Sequence, residues 1–333
     1  MNPIDPDRAG DSFHLRATIT DGSTVFLCAV GIAAGGHEYV YLGDRKGTIR
    51  AWDFAGQDFV RDWHLHHDDV LELRASTVDG QPVLVSTSRD GVSIAWELER
   101  RRELFRVDEA SSAAGTVVTL GGAPALVTTD VVAGHPHGQL RVLSLPTREV
   151  IVAIPTRERF LGLSELEARQ VLITTEYAGD DRDRITTWDA LTGEKRAESL
   201  LPSDLGRSNL GTASGRPVIM LFGDYGDIEV YDVVTGSPIC RDTGPHDMER
   251  RWDGNTDGHW GVIADVDGEP ALITIEHRQL RVRPITDPHA PGAVIGDSAD
   301  RIYATWTNGS ATNILTSTWE GRRMMVWRNR LSE

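Results

Sequence analysis

The residues of this chain that could carry out chemistry are mainly histidines and carboxylates in short polar segments. Histidine can act as a general acid or base near neutral pH, and both residue types can bind a metal ion. An enzyme built on this chain would need several of these side chains to converge at one place. The conditional catalytic candidates are His67, His135, His137, Glu176, His246, His259 and His277.

Two segments come closest to metal-binding patterns. His135 and His137 stand two positions apart between glycines, and they could share a metal only if a third ligand came from elsewhere. Residues 176–183 contain four carboxylates, but their spacing does not provide the glycine and the terminal glutamate of a dedicated calcium loop. A solvent-exposed hairpin and a solvated acidic turn are the simpler interpretations. We therefore predict neither a metal nor a cofactor.

Aromatic and arginine side chains in the polar segments favour binding of a partner. Residues 245–258, the longest such segment, contain Arg250, Arg251 and Trp252, a combination typical of an interface anchor. The alternative is a tolerated insertion whose tryptophan packs on its own loop. The predicted partner-binding residues are Tyr177, Tyr225, Arg250, Arg251, Trp252, Trp260, Trp319 and Arg322.

Composition excludes several classes of function. The net charge of −16 argues against nucleic acid and anionic membranes as partners, because both require a basic surface. No nucleophile elbow, phosphate loop or paired-cysteine metal motif occurs. No apolar run could span a membrane or serve as a secretory signal, so we expect a cytoplasmic monomer. Cys28 and Cys240 lie in apolar segments and are interpreted as buried, reduced thiols.

The elements that must position these residues are revealed by an internal repeat. A glycine turn, a proline and an apolar strand recur at residues 79–85, 121–127, 214–220 and 267–273, with a degenerate copy at 168–173. A short alternating strand follows each copy and ends, in most cases, in an aromatic residue. These anchor positions, which lie 43 to 52 residues apart, are Trp52, Trp96, Leu143, Trp188, Tyr231, Arg283 and Trp327.

Each repeat predicts four short strands. In the second repeat they fall at residues 70–75, 83–88, 92–97 and 103–107, separated by turn residues. Four-stranded units at this period are typical of β-propeller blades, so we predict an all-β, seven-bladed propeller over residues 13–333, after a tail at 1–12. The last repeat has room for only three strands. We therefore expect an N-terminal strand at residues 13–19 to complete it, which removes two open sheet edges.

The second repeat resembles the WD-repeat family, and the whole chain is similar to a divergent, bacterial-looking member. His66, Ser86, Asp90 and Trp96 stand where that family places its histidine, hydroxyl, aspartate and tryptophan. The resemblance implies a hydrogen-bond network among these four side chains. It also implies that His66, Asp90 and Trp96 are structural residues, as are Trp52 and Trp188.

The fold and the loop composition together predict a non-catalytic binding or scaffold module. In such a ring, the loops on one face are free of packing constraints, so binding residues concentrate there. We expect a protein or peptide partner at this face. The alternative is an enzyme with a histidine and carboxylate site, possible with or without a metal, at the mouth of the central channel.

Overall fold

Glycine and aspartate turns divide the chain into short β-strands in the computed structural model. The structure describes residues 13–22, 24–34, 37–78, 81–98, 100, 102–108, 116–120, 123–130, 139–144, 147, 149–156, 158–202, 208–222, 228–242, 261–266, 269–276, 278–286, 292–297, 299–308, 311–318 and 323–329. The tail predicted at residues 1–12 lies outside these ranges. Within them, no helix is long and apolar enough to cross a membrane.

The first three blades follow one another along the chain. Blade one consists of β2 (Phe26–Ala34), β3 (His37–Asp44), β4 (Thr48–Asp53) and β5 (Asp58–His64). Blade two consists of β6 (Val70–Val78), β7 (Gln81–Ser88), β8 (Val92–Glu97) and β9 (Arg102–Asp108). Blade three consists of β10 (Thr116–Leu120), β11 (Ala123–Asp130), β12 (Gln139–Ser144) and β13 (Val150–Pro155).

The remaining blades repeat this arrangement. Blade four consists of β14 (Arg159–Leu166), β15 (Arg169–Gly179), β16 (Arg182–Asp189) and β17 (Lys195–Pro202). Blade five consists of β18 (Ser208–Ala213), β19 (Arg216–Phe222), β20 (Ile228–Asp232) and β21 (Pro238–Asp242). Blade six consists of β22 (Gly261–Val266), β23 (Glu269–Glu276), β24 (Gln279–Pro284) and β25 (Ala293–Gly296). Blade seven combines β26 (Arg301–Asn308), β27 (Ala311–Ser317) and β28 (Arg323–Asn329) with β1 (Phe13–Thr20).

The blades form the predicted seven-bladed propeller. Every blade is an antiparallel sheet of four strands, and in blades one to six these pair in chain order. At six of the seven junctions the first strands of adjacent blades contact one another, so these strands face the centre of the ring and the fourth strands lie on its outside. Apolar side chains from adjacent blades share common cores, as Ile19, Phe26 and Val40 do between blades seven and one. Cys28 and Cys240 are both buried, and neither is in a disulfide.

The ring is closed by the N-terminal strand. β1 pairs antiparallel with β28, from Phe13 opposite Asn329 to Thr20 opposite Arg323. This confirms the strand expected at residues 13–19, which is one residue longer in the structure. The two ends of the described chain therefore belong to one sheet. β1 covers the edge of β28 that would otherwise face solvent.

A buried ionic cluster ties this closing sheet to blade one. The carboxylate of Glu38 on β3 accepts a bond from the Trp306 indole N–H at 2.9 Å. The same carboxylate pairs with Arg16 on β1 at 2.6 Å and with Arg328 on β28 at 3.6 Å. The Arg16 guanidinium also lies 3.7 Å from the centre of the Phe54 ring. An arginine from each of the closing strands β1 and β28 therefore forms an ion pair with the same carboxylate, Glu38 of blade one.

The outer strands carry a recurrent irregularity. In six blades one extra residue is inserted in the outer strand directly opposite the anchor position of the third strand. Such bulges bend a strand and protect its exposed edge from pairing with other chains. The inserted residues are Arg16, Val60, Leu104, Ile151, Arg196 and Ile239.

Aspartates at the ends of third strands brace the turns that follow. Asp189 accepts bonds from the backbone N–H groups of Leu191 and Thr192, and Asp232 accepts the equivalent pair in blade five. The hydrogen bond from Arg196, at 2.7 Å, is the main reason that the pKa of Asp189 is lowered to about 2. The shared sequence Asp-x-x-Thr-Gly is a turn signal that our sequence analysis missed. These turns are therefore fixed by side chains at their bases.

Candidate functional site

We call loop face the side of the ring that carries the turns between second and third strands and the connections between blades. The partner-binding and catalytic residues were all predicted for this face, because each stands in or beside one of these turns or connections in the sequence. Three of them, His67, Glu176 and Tyr177, are within the described part of the chain. The other predicted residues lie outside it; they are His135, His137, Tyr225, His246, Arg250, Arg251, Trp252, His259, Trp260, His277, Trp319 and Arg322.

The two described catalytic candidates belong to different blades. The exposed His67 precedes β6 of blade two, and its backbone N–H donates to Asp90 at 2.8 Å. Glu176 lies on β15 of blade four and pairs with Arg184 at 3.1 Å. Blade three stands between them in the ring. No group of three or more potential metal ligands occurs among the residues that the structure describes. The catalytic alternative stays a prediction, since its other five residues are not described.

Blade two contains most of the network that the family resemblance implies. His66 is buried, with Nε2 at 2.7 Å from Ser86 Oγ and Nδ1 at 3.5 Å from Asp90 Oδ2. The indole N–H of Trp96 is buried too, but it has no hydrogen-bond partner. The structure therefore links three of the four side chains, and Trp96 makes no hydrogen bond to them.

Burial and hydrogen bonding set the charges in this network. Desolvation lowers the pKa of His66 more than the nearby carboxylate of Asp90 raises it. Burial alone would raise the pKa of Asp90, but backbone N–H groups of His67 and Val92 lower it overall. At neutral pH the His66 imidazole is therefore neutral and the Asp90 carboxylate beside it is ionised. This pair holds the connection between blades one and two against the turn between the second and third strands of blade two.

Blades four and seven use the same hydroxyl position differently. Trp188 Nε1 donates to Thr174 Oγ at 2.8 Å, and Trp327 Nε1 donates to Thr316 Oγ at 3.0 Å. In blade four, Thr174 also contacts Glu158, the residue just before β14. A carboxylate thus takes the place that His66 has in blade two. This carboxylate was not predicted, because the family resemblance implies a histidine at this position.

Blade four has the longest second strand in the described part of the chain. β15 has 11 residues, whereas the second strands of the other six blades have seven or eight. Its pairing with β16 continues to Gly179 opposite Arg182. Asp180 and Asp181 form the turn, both with left-handed φ angles near 54°, as a two-residue hairpin turn requires. We call residues 176–184 the blade-four tip.

The blade-four tip is braced from its outer side. β17 pairs with β16 up to Arg182 opposite Pro202, so three strands extend together. Arg184 bridges two strands, because its guanidinium lies 3.1 Å from Glu176 and 3.5 Å from Glu198. The hairpin therefore rests on a third strand and an ionic bridge, and it can present a side chain in a fixed position.

Tyr177 is the side chain that the tip presents. It is 63% exposed, more than any other large hydrophobic side chain in the described part of the chain. Its neighbour across the hairpin is Asp183, and the exposed Asp180 and Asp181 follow at the turn. An aromatic ring held in solvent beside carboxylates is suited to reversible binding of a polar or cationic group.

The chain was also compared with known proteins. No family model matches it, and no curated protein matches it.

Proposed function

We propose that this chain is a divergent WD-repeat propeller that acts as a non-catalytic binding module, taking a protein or peptide partner at its loop face. β-Propellers commonly serve as scaffolds for protein interaction. The single observation that carries the proposal is Tyr177, exposed on the longest second strand of the described part of the chain, in a hairpin that is braced by a third strand. Rigid, exposed aromatic residues are favoured as interface anchors because little conformational entropy is lost when they bind.

Three hydrogen bonds support the WD-repeat part of this proposal. The Trp188 and Trp327 indoles donate to strand-two hydroxyls, and His66 bonds to such a hydroxyl in blade two. The family resemblance implies this link between the histidine, hydroxyl and tryptophan positions. Blade six departs from it, since its anchor position is Arg283, which pairs with Glu276.

The proposal is tested by capturing partners with two variants of opposite design. In the first, residues 177–183 are replaced by Asn-Gly, which joins Glu176 to Arg184 through a two-residue turn and shortens the hairpin to ordinary length. In the second, Glu165 and Glu167 at the other end of blade four become glutamine. Proteins captured from extract by the full-length chain are purified and their dissociation constants measured.

We expect at least one purified partner to bind the parent chain and the glutamine variant equally, and to bind the shortened hairpin at least tenfold more weakly. Circular dichroism and thermal unfolding must show that both variants remain folded. A set of partners that all bind the shortened hairpin as tightly as the parent chain would overturn the proposal.

A further inference from the structure

We infer that the blade-four tip recognises a cationic segment of the partner, in which one basic side chain stacks on Tyr177 and another pairs with Asp180 and Asp181. This inference rests on the proposed function and adds the chemical class of the partner. It depends on three observations: the exposure of the aromatic ring, the charge of the tip, and the internal neutralisation of one of its arginines.

The charge of the tip is negative even after its own cations are counted. Residues 176–184 include four carboxylates and two arginines, which gives a net charge of −2. One of the arginines, Arg184, is shared between Glu176 and Glu198, so its charge is engaged within the blade. Asp180 and Asp181 stand at the end of the hairpin with exposed side chains. The surface that a partner meets first is therefore acidic.

The aromatic ring gives this acidic surface a specific contact. A lysine or arginine over the face of a tyrosine ring is attracted by the ring's electrons, and nearby carboxylates strengthen the attraction. Tyr177 and the turn are three residues apart on an extended strand, a distance of about 10 Å. An extended partner segment covers this distance with two basic residues separated by two or three positions.

Charge complementarity favours this occupant over the alternatives. The whole chain carries −16, and a field of that sign attracts a basic segment and speeds its association. The same field repels a second copy of the chain and repels nucleic acid. The partner is therefore a polypeptide whose binding segment is rich in lysine or arginine.

The test uses two labelled ten-residue peptides, one of alternating lysine and serine and one of alternating glutamate and serine. Fluorescence anisotropy of each is measured with the folded, full-length protein at low and at moderate salt. We expect the lysine peptide to bind, with an affinity that falls as salt is added, and the glutamate peptide not to bind. Changing Asp180 and Asp181 together to asparagine weakens lysine-peptide binding about tenfold, as does Tyr177→Ala. Tyr177→Phe retains binding, because the ring and not the hydroxyl makes the contact.

The control removes two charges from the same blade at the opposite end of β15. Glu165→Gln combined with Glu167→Gln changes the net charge as much as the aspartate pair does, but at a site about 35 Å away along an 11-residue strand. We expect this variant to bind the lysine peptide within twofold of the parent chain. Equal losses in both double variants would show attraction to net charge alone and would overturn the inference.

The inference and the proposed function fail in different ways. If a captured partner requires the long hairpin but binds equally well after Asp180 and Asp181 become asparagine, the loop-face function stands and the cationic segment is wrong. If the lysine peptide binds at the tip but no purified partner does so, the proposed function fails while the surface chemistry is as inferred. A lysine peptide that binds none of the proteins rejects the inference directly.

Discussion

Trp306, in the first strand of blade seven, occupies the space where a Cβ atom of Gly31, in the first strand of blade one, would have to lie. The indole N–H of the same tryptophan donates a hydrogen bond to Glu38, which lies on the second strand of blade one. The glycine therefore allows the closing blade to approach blade one closely enough for this bond. Ring closure therefore depends on the missing side chain at Gly31 as well as on the contacts that Trp306 and Glu38 make.

Gly31→Ala should destabilise the protein by about 1–3 kcal/mol, because the added methyl group cannot fit without displacing the Trp306 ring. Urea unfolding followed by tryptophan fluorescence measures the change. Gly56→Ala is the control, since its Cβ would meet only a side-chain oxygen of Asp53 at ordinary van der Waals distance. Equal stability of the two variants would contradict the packing described for the junction.

Glu38→Gln should cost about 3 kcal/mol of unfolding free energy, because Arg16 and Arg328 then lose a carboxylate that is almost fully buried. Glu103→Gln removes a carboxylate from an exposed pair with Arg106, and we expect its cost to stay below about 1 kcal/mol. Chemical denaturation of both variants gives the comparison. A loss at Glu103 as large as that at Glu38 would argue against a special role for the closing cluster.

Thr174→Val should leave the Trp188 indole N–H without its acceptor and cost roughly 1–3 kcal/mol. Thr174→Ser keeps the hydroxyl and should retain most of the stability. The matched change in blade seven, Thr316→Val, removes the acceptor of Trp327 and should have an effect of similar size. Thermal unfolding of the three variants tests whether the two blades use this bond alike; a stable Thr174→Val variant would show that they do not.

The stability of the protein should fall as pH drops below about 6.5, the usual value for an unfolded histidine. Burial lowers the pKa of His66 in the folded state, so the unfolded chain binds the proton more readily in this window. His66→Gln should remove this part of the pH dependence while leaving the contributions of exposed histidines. Unfolding free energies between pH 8 and pH 5 provide the measurement. A parallel decline in parent chain and variant would assign the effect to other groups.

The repeat was predictable because its anchor positions are equivalent in the fold. All seven pair with an aliphatic residue of the second strand, as Trp52 does with Val40 and Arg283 does with Leu272. Strand pairing imposes the period whether or not the side chain is aromatic. Repeat spacing therefore predicted the blades even where the tryptophan is absent.

Contacts across the ring junction were beyond reach of the sequence. Glu38 and Trp306 are 268 residues apart, and nothing in either local segment indicates the other. Glu158 was missed for a different reason, since a carboxylate and an imidazole can both accept a bond from a hydroxyl. The length of β15 was also missed, because a turn of two aspartates in left-handed conformation is an uncommon choice of residues.

The pairing of β1 with β28 also has a consequence for how the protein is made. Thr20 and Arg323 are neighbours in the finished sheet but lie 303 residues apart in the chain. At a ribosomal rate of about 5–20 residues per second, the first strand waits roughly 15–60 seconds for its partner. During that time six blades can assemble while the first strand still lacks its neighbour. Completion of the ring is therefore a late event, because it requires β28 to have been synthesised.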